Sequence, residues 1–321
     1  IDDQFKKPQA FHDTAISIGG GLCIFLSSLI VILNFWLFKN ILFFEYFSLC
    51  ILFFILGFAD DIRMNIKPTA RLILMIIFLI LMITYNNFYI EKTGIEFLNQ
   101  WLSDYKIFSL IFISLCFLFV INGANLIDGY NGLLGFHSLI ILLNLFFINY
   151  LNGFNDLANF LFFSILILII FLKYNFPKAK VFLGDGGSYF LGAFIAISVI
   201  KTSILNPSIS PFYFCILLFY LFFEVFFSFF RKIFIGKQSP LLPDNQHLHM
   251  LLYKVLFKKY KKKMNSNYAV SLYINLIYLF LLVPTFFFMD NGLFCRYYFF
   301  GLLIFYIYFY KILYKKLNKI I

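Results

Sequence analysis

The sequence predicts an all-α protein, a polytopic bundle of about ten membrane-crossing helices, and three observations predict it. Of its 321 residues 62% are hydrophobic and only 13% are charged, with 50 Phe and 21 Tyr. A water-soluble domain has no core large enough to hide that much apolar surface, so the bilayer is the solvent that suits this composition. Apolar runs long enough to cross a ~30 Å hydrocarbon core recur along the whole chain. The basic residues, finally, follow the alternation of sides that ten crossings impose.

Taken in order, the spans are expected near 18–38, 41–59, 69–85, 106–122, 132–149, 158–173, 187–205, 211–230, 267–288 and 294–313. No internal repeat or separate soluble domain interrupts them, and residues 1–321 read as one integral membrane domain. The stretch 86–105 is the longest connection on its side, and its Trp101 and Tyr105 suit a membrane–water interface. Polar loops are expected near 60–71, 122–132, 174–188 and 231–266.

If the side of residue 1 is called inside, the alternation puts 21 Lys and Arg there and leaves Lys39, Lys92, Lys106, Lys201 and Arg296 outside. Inside is therefore the cytoplasmic side. The formal net charge of +11 is mostly topology. Nucleic-acid binding is a poor reading of it, because the basic residues flank membrane spans, and the run "KKYKKK" at 258–263 suits anionic lipid. The five cysteines stand singly in or beside apolar runs without metal-site spacing, as small packing residues. The chain opens on Ile1 with a polar stretch unlike a signal peptide.

Four polar clusters share the inside face. "GFADDIRMNIKPTARL" places Asp60 and Asp61 at the end of the second span. Acids at a helix C-terminus face the negative end of its dipole, which costs ~0.3–1 kcal/mol; Arg63 or Arg71 could compensate, and a cation or a phosphate could be the partner. "NGANLIDGYNGL" holds Asn125, Asp128 and Asn131, spaced by three and so on one side of a helical turn, with Gly129 and Gly132 for tight turns. A turn held by its own Asx hydrogen bonds is an equal reading. "KVFLGDGGSYFLG" sets Asp185 among Gly184, Gly186 and Gly187, before a helix expected to start at about Ser188. A carboxylate beside hydrocarbon is a functional candidate by default, and a helix N-terminus favours anions. A metal on Asp185 and a phosphate on backbone amides fit there; so does a glycine packing cluster with an N-cap aspartate. "RKIFIGKQSPLLPDNQHLHMLL" collects Arg231, Lys232, Lys237, Asp244, His247 and His249. The two histidines do not converge on one metal from a helix, so a cationic loop that contacts phosphates is the stronger reading. Glu224, seven residues before Arg231 on the same helical face, pairs inward or is purely structural. His137 reads as a satisfied bundle histidine, and His12 stays ambiguous.

Those four motifs, in that order, resemble the polyprenyl-phosphate N-acetylhexosamine-1-phosphate transferases. "KPQAFHDTAISIGGGLCIF" is similar to that family's segment before its second helix, so the resemblance runs from about residue 6 to 255 and implies an eleventh, N-terminal helix outside this chain. "PDNQHLH" is closer to the branch that starts O-antigen, teichoic acid and related glycans than to the peptidoglycan branch. The resemblance implies that a UDP-N-acetylhexosamine and undecaprenyl or another polyprenyl phosphate react to give a polyprenyl-diphosphate sugar and UMP. It implies Mg²⁺, with Mn²⁺ as the substitute, and a multi-pass place in the bacterial cytoplasmic membrane with the site facing the cytoplasm. A homodimer is compatible with it.

Position by position, the resemblance makes Asp185 the metal ligand, Phe182 the aromatic that stacks on uracil, and Asn175 a polar contact near the nucleotide. Asp60 and Asp61 match the pair that activates the lipid phosphate or supports the metal. Asn125, Asp128 and Asn131 match active-site polar positions, and His247 and His249 the histidines near the diphosphate. Gly184 and Lys237 join the substrate contacts through the backbone and the basic loop. Asn131 stands where many relatives have aspartate, Met250 replaces a further histidine, and "AISIGG" lacks a Pro-Arg before the glycines. The competing readings are a transporter or flippase, which predicts acids near mid-helix such as Glu45 and Glu224, and a catalytically impaired homologue.

Overall fold

The computed structural model describes residues 15–64, 66–90, 92–236, 239 and 244–318. Among these, regular structure is helical, apart from one parallel bridge between Ser17 and Val181. The helices are α1 (Gly20–Lys39), α2 (Phe44–Asp61), α3 (Pro68–Asn86), α4 (Glu96–Asp104), α5 (Lys106–Ile127), α6 (Leu133–Leu151), α7 (Asn155–Asn175), α8 (Gly184–Leu205), α9 (Pro211–Leu217), α10 (Phe219–Phe230), α11 (Leu248–Tyr260), α12 (Lys263–Phe287) and α13 (Gly292–Asn318). Eight of them are long and apolar enough to cross a bilayer, and the count is nine if the bent pair α9 and α10 is taken as one broken span and not as a re-entrant loop. The crossing expected at 41–59 falls outside that count: α2 covers it, but its 18 residues include three acids, Glu45 in its first turn and Asp60 and Asp61 at its end, so the described residues give eight or nine crossings and not ten. The protein is an all-α polytopic membrane bundle.

The structure revises four details. The connection 86–105 contains α4. The span expected at 211–230 is bent by 75° at its break, where Leu218 separates α9 from α10. The segment 231–266 is not one loop, because α10 runs into a π-helical turn at Arg231–Ile235 and α11 follows. And α8 begins at Gly184, four residues before the expected start, so Asp185 lies inside its first turn.

Apolar burial does not drive helices together inside lipid, so contact depends on close packing, and small residues permit it. α8 is the hub. A Cβ on Gly21 of α1 would lie 2.5 Å from Gly187, and one on Gly192 would lie 2.7 Å from Ile121 of α5. Gly57 sets α2 directly on the backbone of Asp185 and Gly186. Gly123 does the same for α5 against Leu221 of α10. The start of α1 is also tied by backbone bonds, Gly20 N–H to Phe182 O and Gly21 N–H to Leu183 O, both 2.9 Å. Sequence pattern places glycines; these crossings explain why a side chain is excluded.

Away from the acids, the five basic residues of the other end are each engaged. Lys39 pairs with Asp156 and Lys201 with Glu45. Lys92 donates to Pro207 O and Arg296 to Gly94 O, and Lys106 lies over the Tyr89 ring. Glu45 therefore sits at a helix end with a cation, not in mid-span.

Candidate active site

The four predicted clusters meet at one end of the bundle. The apolar stretch of α2 closes at Ala59, and its last two residues turn different ways. Asp60 forms an ion pair with Arg71 of α3, whose guanidinium lies 5.7 Å from the Tyr189 ring centroid of α8. Asp61 reaches α8 itself. Its Oδ1 accepts the N–H of Asp185 at 2.8 Å and its Oδ2 that of Gly186 at 2.9 Å. The first amides of a helix have no partner within it. Leu183, at the N-cap of α8, has no side chain able to supply one, so a carboxylate from the neighbouring span caps α8.

That cap is itself under electrostatic load. Burial pushes the Asp61 carboxyl up to about 6; the two amides pull it down, while Asp185 and Asp60 add to the rise. Burial also pushes Asp128 well above the usual carboxylate range, with Asp185 and Asp61 repelling its charge. Asp128 is the C-cap of α5. Asn125, one turn earlier, donates its Nδ2 to Asp185 Oδ1 at 3.3 Å. Thus α2, α5 and α8 gather Asp61, Asp128 and Asp185, with Asp60 and Arg71 alongside.

Asn131 and Asn175 belong to the scaffold around this cluster. Asn131 donates to Pro177 O at 2.9 Å, and its own N–H is taken by Asn267 Oδ1 of α12 at 2.9 Å. Asn175 accepts from Gly132 N–H at 2.6 Å and donates to Val181 O at 2.9 Å. Both are buried. The expected convergence of Asn125, Asp128 and Asn131 stops at Asn125 and Asp128, because α5 ends at Ile127 and the chain turns. In that turn Gly132 has φ +77° and needs to be glycine, whereas a Cβ on Gly129 would meet nothing within 4 Å. Phe182 is half-buried, with its backbone bonded to Ser17 and Gly20. Gly184 has φ +78°, and a Cβ there would lie 2.7 Å from Asp61 Oδ2. Lys237 lies outside the described residues, as does His12.

The histidines form a second, adjoining cluster. His247 sits at the N-cap of α11 between Glu224 and Asp244. His249 is fully buried, with Nδ1 3.2 Å from Tyr220 Oη; burial pulls its ring down to about 4. It packs on Tyr130, ring centroids 5.7 Å apart, two residues from Asp128. Asp244 is pushed up by burial, but the hydrogen bond and charge of Arg231, His247 and the Gln246 N–H together outweigh that and hold it below the usual range. Glu224 pairs with His247, and Arg231 pairs with Asp244. Sequence reasoning missed Tyr189, Asn267 and Tyr306, and no local pattern marks them: each acts across a helix contact.

Among the described residues no three His, Cys, Asp or Glu side chains form a group that could hold a metal ion by themselves. Zinc chemistry is a poor match for that. Mg²⁺ fits better, since it is usually held by one or two carboxylates, its other positions going to water and substrate phosphate. Asp185 lies near enough to Asp128 to repel its charge, and a neighbouring pair of partly buried carboxylates matches that requirement.

The glycosyl transferase family 4 profile matches residues 43–203, which run from just before α2 to the end of α8 and include every member of the acid cluster. The chain is 29% identical over 139 residues to an undecaprenyl-phosphate alpha-N-acetylglucosaminyl 1-phosphate transferase of Thermotoga maritima, covering 43% of this chain and 41% of that protein. It is 34% identical over 198 residues to a phospho-N-acetylmuramoyl-pentapeptide-transferase of Dictyoglomus turgidum, covering 60% of this chain and 61% of that one. The alignments thus reach about half the length of these relatives. Half of the chain matching one profile, over the helices that build the acid cluster, shows that this protein belongs to glycosyl transferase family 4.

Proposed function

We propose that the protein transfers N-acetylhexosamine 1-phosphate from a UDP-sugar to undecaprenyl or another polyprenyl phosphate at the cytoplasmic face of a bacterial inner membrane. The products are a polyprenyl-diphosphate sugar and UMP, and the step opens assembly of a cell-surface glycan. The observation that carries this reading is the acid cluster at the N-terminus of α8, with Asp61 bonded to the Asp185 and Gly186 amides and the Arg71 guanidinium beside Asp60.

A phosphate monoester carries about −1.5 to −2 charges at neutral pH, so the lipid phosphate needs little deprotonation. Its oxygen attacks the β-phosphorus in line, and the bond from that phosphorus to the bridging oxygen breaks to release UMP. The difficulty is bringing two anions together beside carboxylates. Mg²⁺ held by Asp185 and Asp128 would supply charge neutralisation for the diphosphate and the departing UMP. Asn125 orients Asp185. Asp61 holds the start of α8 and leaves Asp185 at its first turn. Arg71, braced by Asp60 and stacked on Tyr189, offers a fixed cation to a phosphate oxygen. The related proteins act, by name, on undecaprenyl phosphate and on phospho-N-acetylmuramoyl-pentapeptide, which supports the substrate class.

The test is transfer. Purified protein or membranes receive labelled UDP-GlcNAc, undecaprenyl phosphate and Mg²⁺. Label should enter the lipid phase, EDTA should stop it, and Asp185→Asn should reduce it to background. No transfer from any of a panel of UDP-N-acetylhexosamines overturns the reading. Movement of a lipid-linked substrate across vesicles without new bond formation favours a flippase.

A further inference from the structure

A second buried carboxylate treats α11 as Asp61 treats α8. Glu224 lies within α10 and is only 1% exposed. An uncompensated carboxylate inside a span is expensive, and here three donors converge on it. His247 Nδ1 stands 3.1 Å from Oε1, the Leu248 N–H donates to the same oxygen at 3.1 Å, and Tyr306 Oη donates to Oε2 at 2.5 Å. Leu248 is the first residue of α11, so Glu224 caps that helix from another span.

The bonds continue outward. His247 Nε2 faces Asp244 Oδ1 at 3.3 Å, and Asp244 Oδ2 accepts from Arg231 at 2.6 Å. Gln246 accepts from Arg231 through its side chain and from Tyr310 Oη through its backbone. The rings of His247 and His249 lie parallel, 4° apart in plane, with centroids 5.5 Å apart. His249 shares Nδ1 with Tyr220, while its buried Nε2 has no hydrogen-bond partner among the described residues. Its ring packs on Tyr130 in the turn that carries Asp128.

We propose that Glu224 is a positioning residue for the transfer reaction: through His247 and the first amide of α11 it sets the orientation of the His247–His249 pair against the Asp128 turn. The inference rests on the transferase reading above. A helix cap alone needs only a Ser, Thr, Asn or Asp at the helix's own N-cap position. α11 instead has a histidine there and draws its cap from a buried carboxylate of α10, which holds His247 at Nδ1 while Asp244 faces Nε2, so the ring is oriented from both sides.

Glu224→Gln keeps the shape and one acceptor oxygen but removes the charge. It should lower kcat by about tenfold or more, the size expected when a group that orients a functional histidine is lost. KM for the UDP-sugar should stay within about twofold. Because the charge that Gln removes meets the His247 ring, while the Gln amide oxygen can still accept the Leu248 N–H, the double variant Glu224→Gln/His247→Gln should be no slower than His247→Gln alone; losses that multiply overturn the proposal. Circular dichroism and size-exclusion chromatography check that each variant is folded. A second arm reads the rings directly, by ¹⁵N NMR of histidine-labelled protein. The wild type should show a ring protonated at Nδ1 that disappears in His247→Gln. Glu224→Gln should shift that resonance and the one assigned to His249 by its own substitution. Unchanged resonances for both overturn the proposal. If the wild type transfers nothing from any UDP-N-acetylhexosamine, the transferase reading fails, and the NMR arm decides by itself whether Glu224 orients the pair.

Discussion

The carboxylate of Asp61 grips the backbone at Asp185, one oxygen on the Asp185 N–H at 2.8 Å and the other on the Gly186 N–H at 2.9 Å. Adjacent aspartates in one sequence motif therefore do different work. Asp60 braces a cation and Asp61 builds the helix start that carries the proposed metal ligand.

Removing that grip has a defined cost. Asp61→Ala leaves two amides without their acceptor and should destabilise the protein by about 2 kcal/mol, the upper range for loss of a helix cap. Asp61→Asn keeps one acceptor and should cost about half as much. Thermal unfolding in detergent, followed by circular dichroism, checks the order. Transfer activity should fall in both, since Asp185 loses its fixed backbone.

The two glycines nearest the acids should behave differently. Gly184 has φ +78°, and its Cβ would press on Asp61. A side chain held in that backbone region costs of order 1–3 kcal/mol, so Gly184→Ala should be destabilised by at least that and should disturb the Asp61 cap. Gly129 faces open space, and Gly129→Ala should stay within about 0.5 kcal/mol of wild type. Comparable stability for the two would contradict the geometry.

His249 should leave a signature in acid. Burial lowers its ring from 6.5 to about 4 in the folded protein. The unfolded chain therefore binds the extra proton between those values. The stability that depends on a neutral His249 is present above about pH 6.5 and drains away as pH falls toward 4. Asp61 and Asp128, held above their usual range, act with the opposite sign, so a comparison isolates the histidine. Replacing His249 by Phe should remove up to about 1.4 kcal/mol per pH unit of slope in that window. Denaturant unfolding at several pH values measures it, and an unchanged slope would refute the assignment.

Much of this was legible in the sequence, for reasons that differ by residue. Apolar runs carry the membrane class because lipid rejects charge along a whole helix, so an all-α polytopic bundle can be read without any contact, although the expected ten crossings exceed the eight or nine that the described helices supply. Asp185 among glycines stands out for the same reason. Less legible was where its helix begins: the cap of α8 comes from Asp61, 124 residues earlier, and no local signal at Gly184 announces it. Asn131 and Asn175 carry the composition of a binding site, yet their amides close turns around Pro177, Gly132 and Val181. A motif names polar residues without saying whether water, a ligand or the chain itself will meet them.

The sequence by itself determined the solvent, the all-helical class and the end of the bundle at which the acids collect, because each depends on hydrophobicity and charge summed along single segments. Tertiary structure alone decided the division of labour among those acids. Asp60 goes to Arg71, Asp61 to the α8 amides, Glu224 to His247 and α11, because a buried carboxylate takes whichever donors helix packing brings within hydrogen-bond reach. Those donors lie 11 to 125 residues away along the chain, beyond any local pattern.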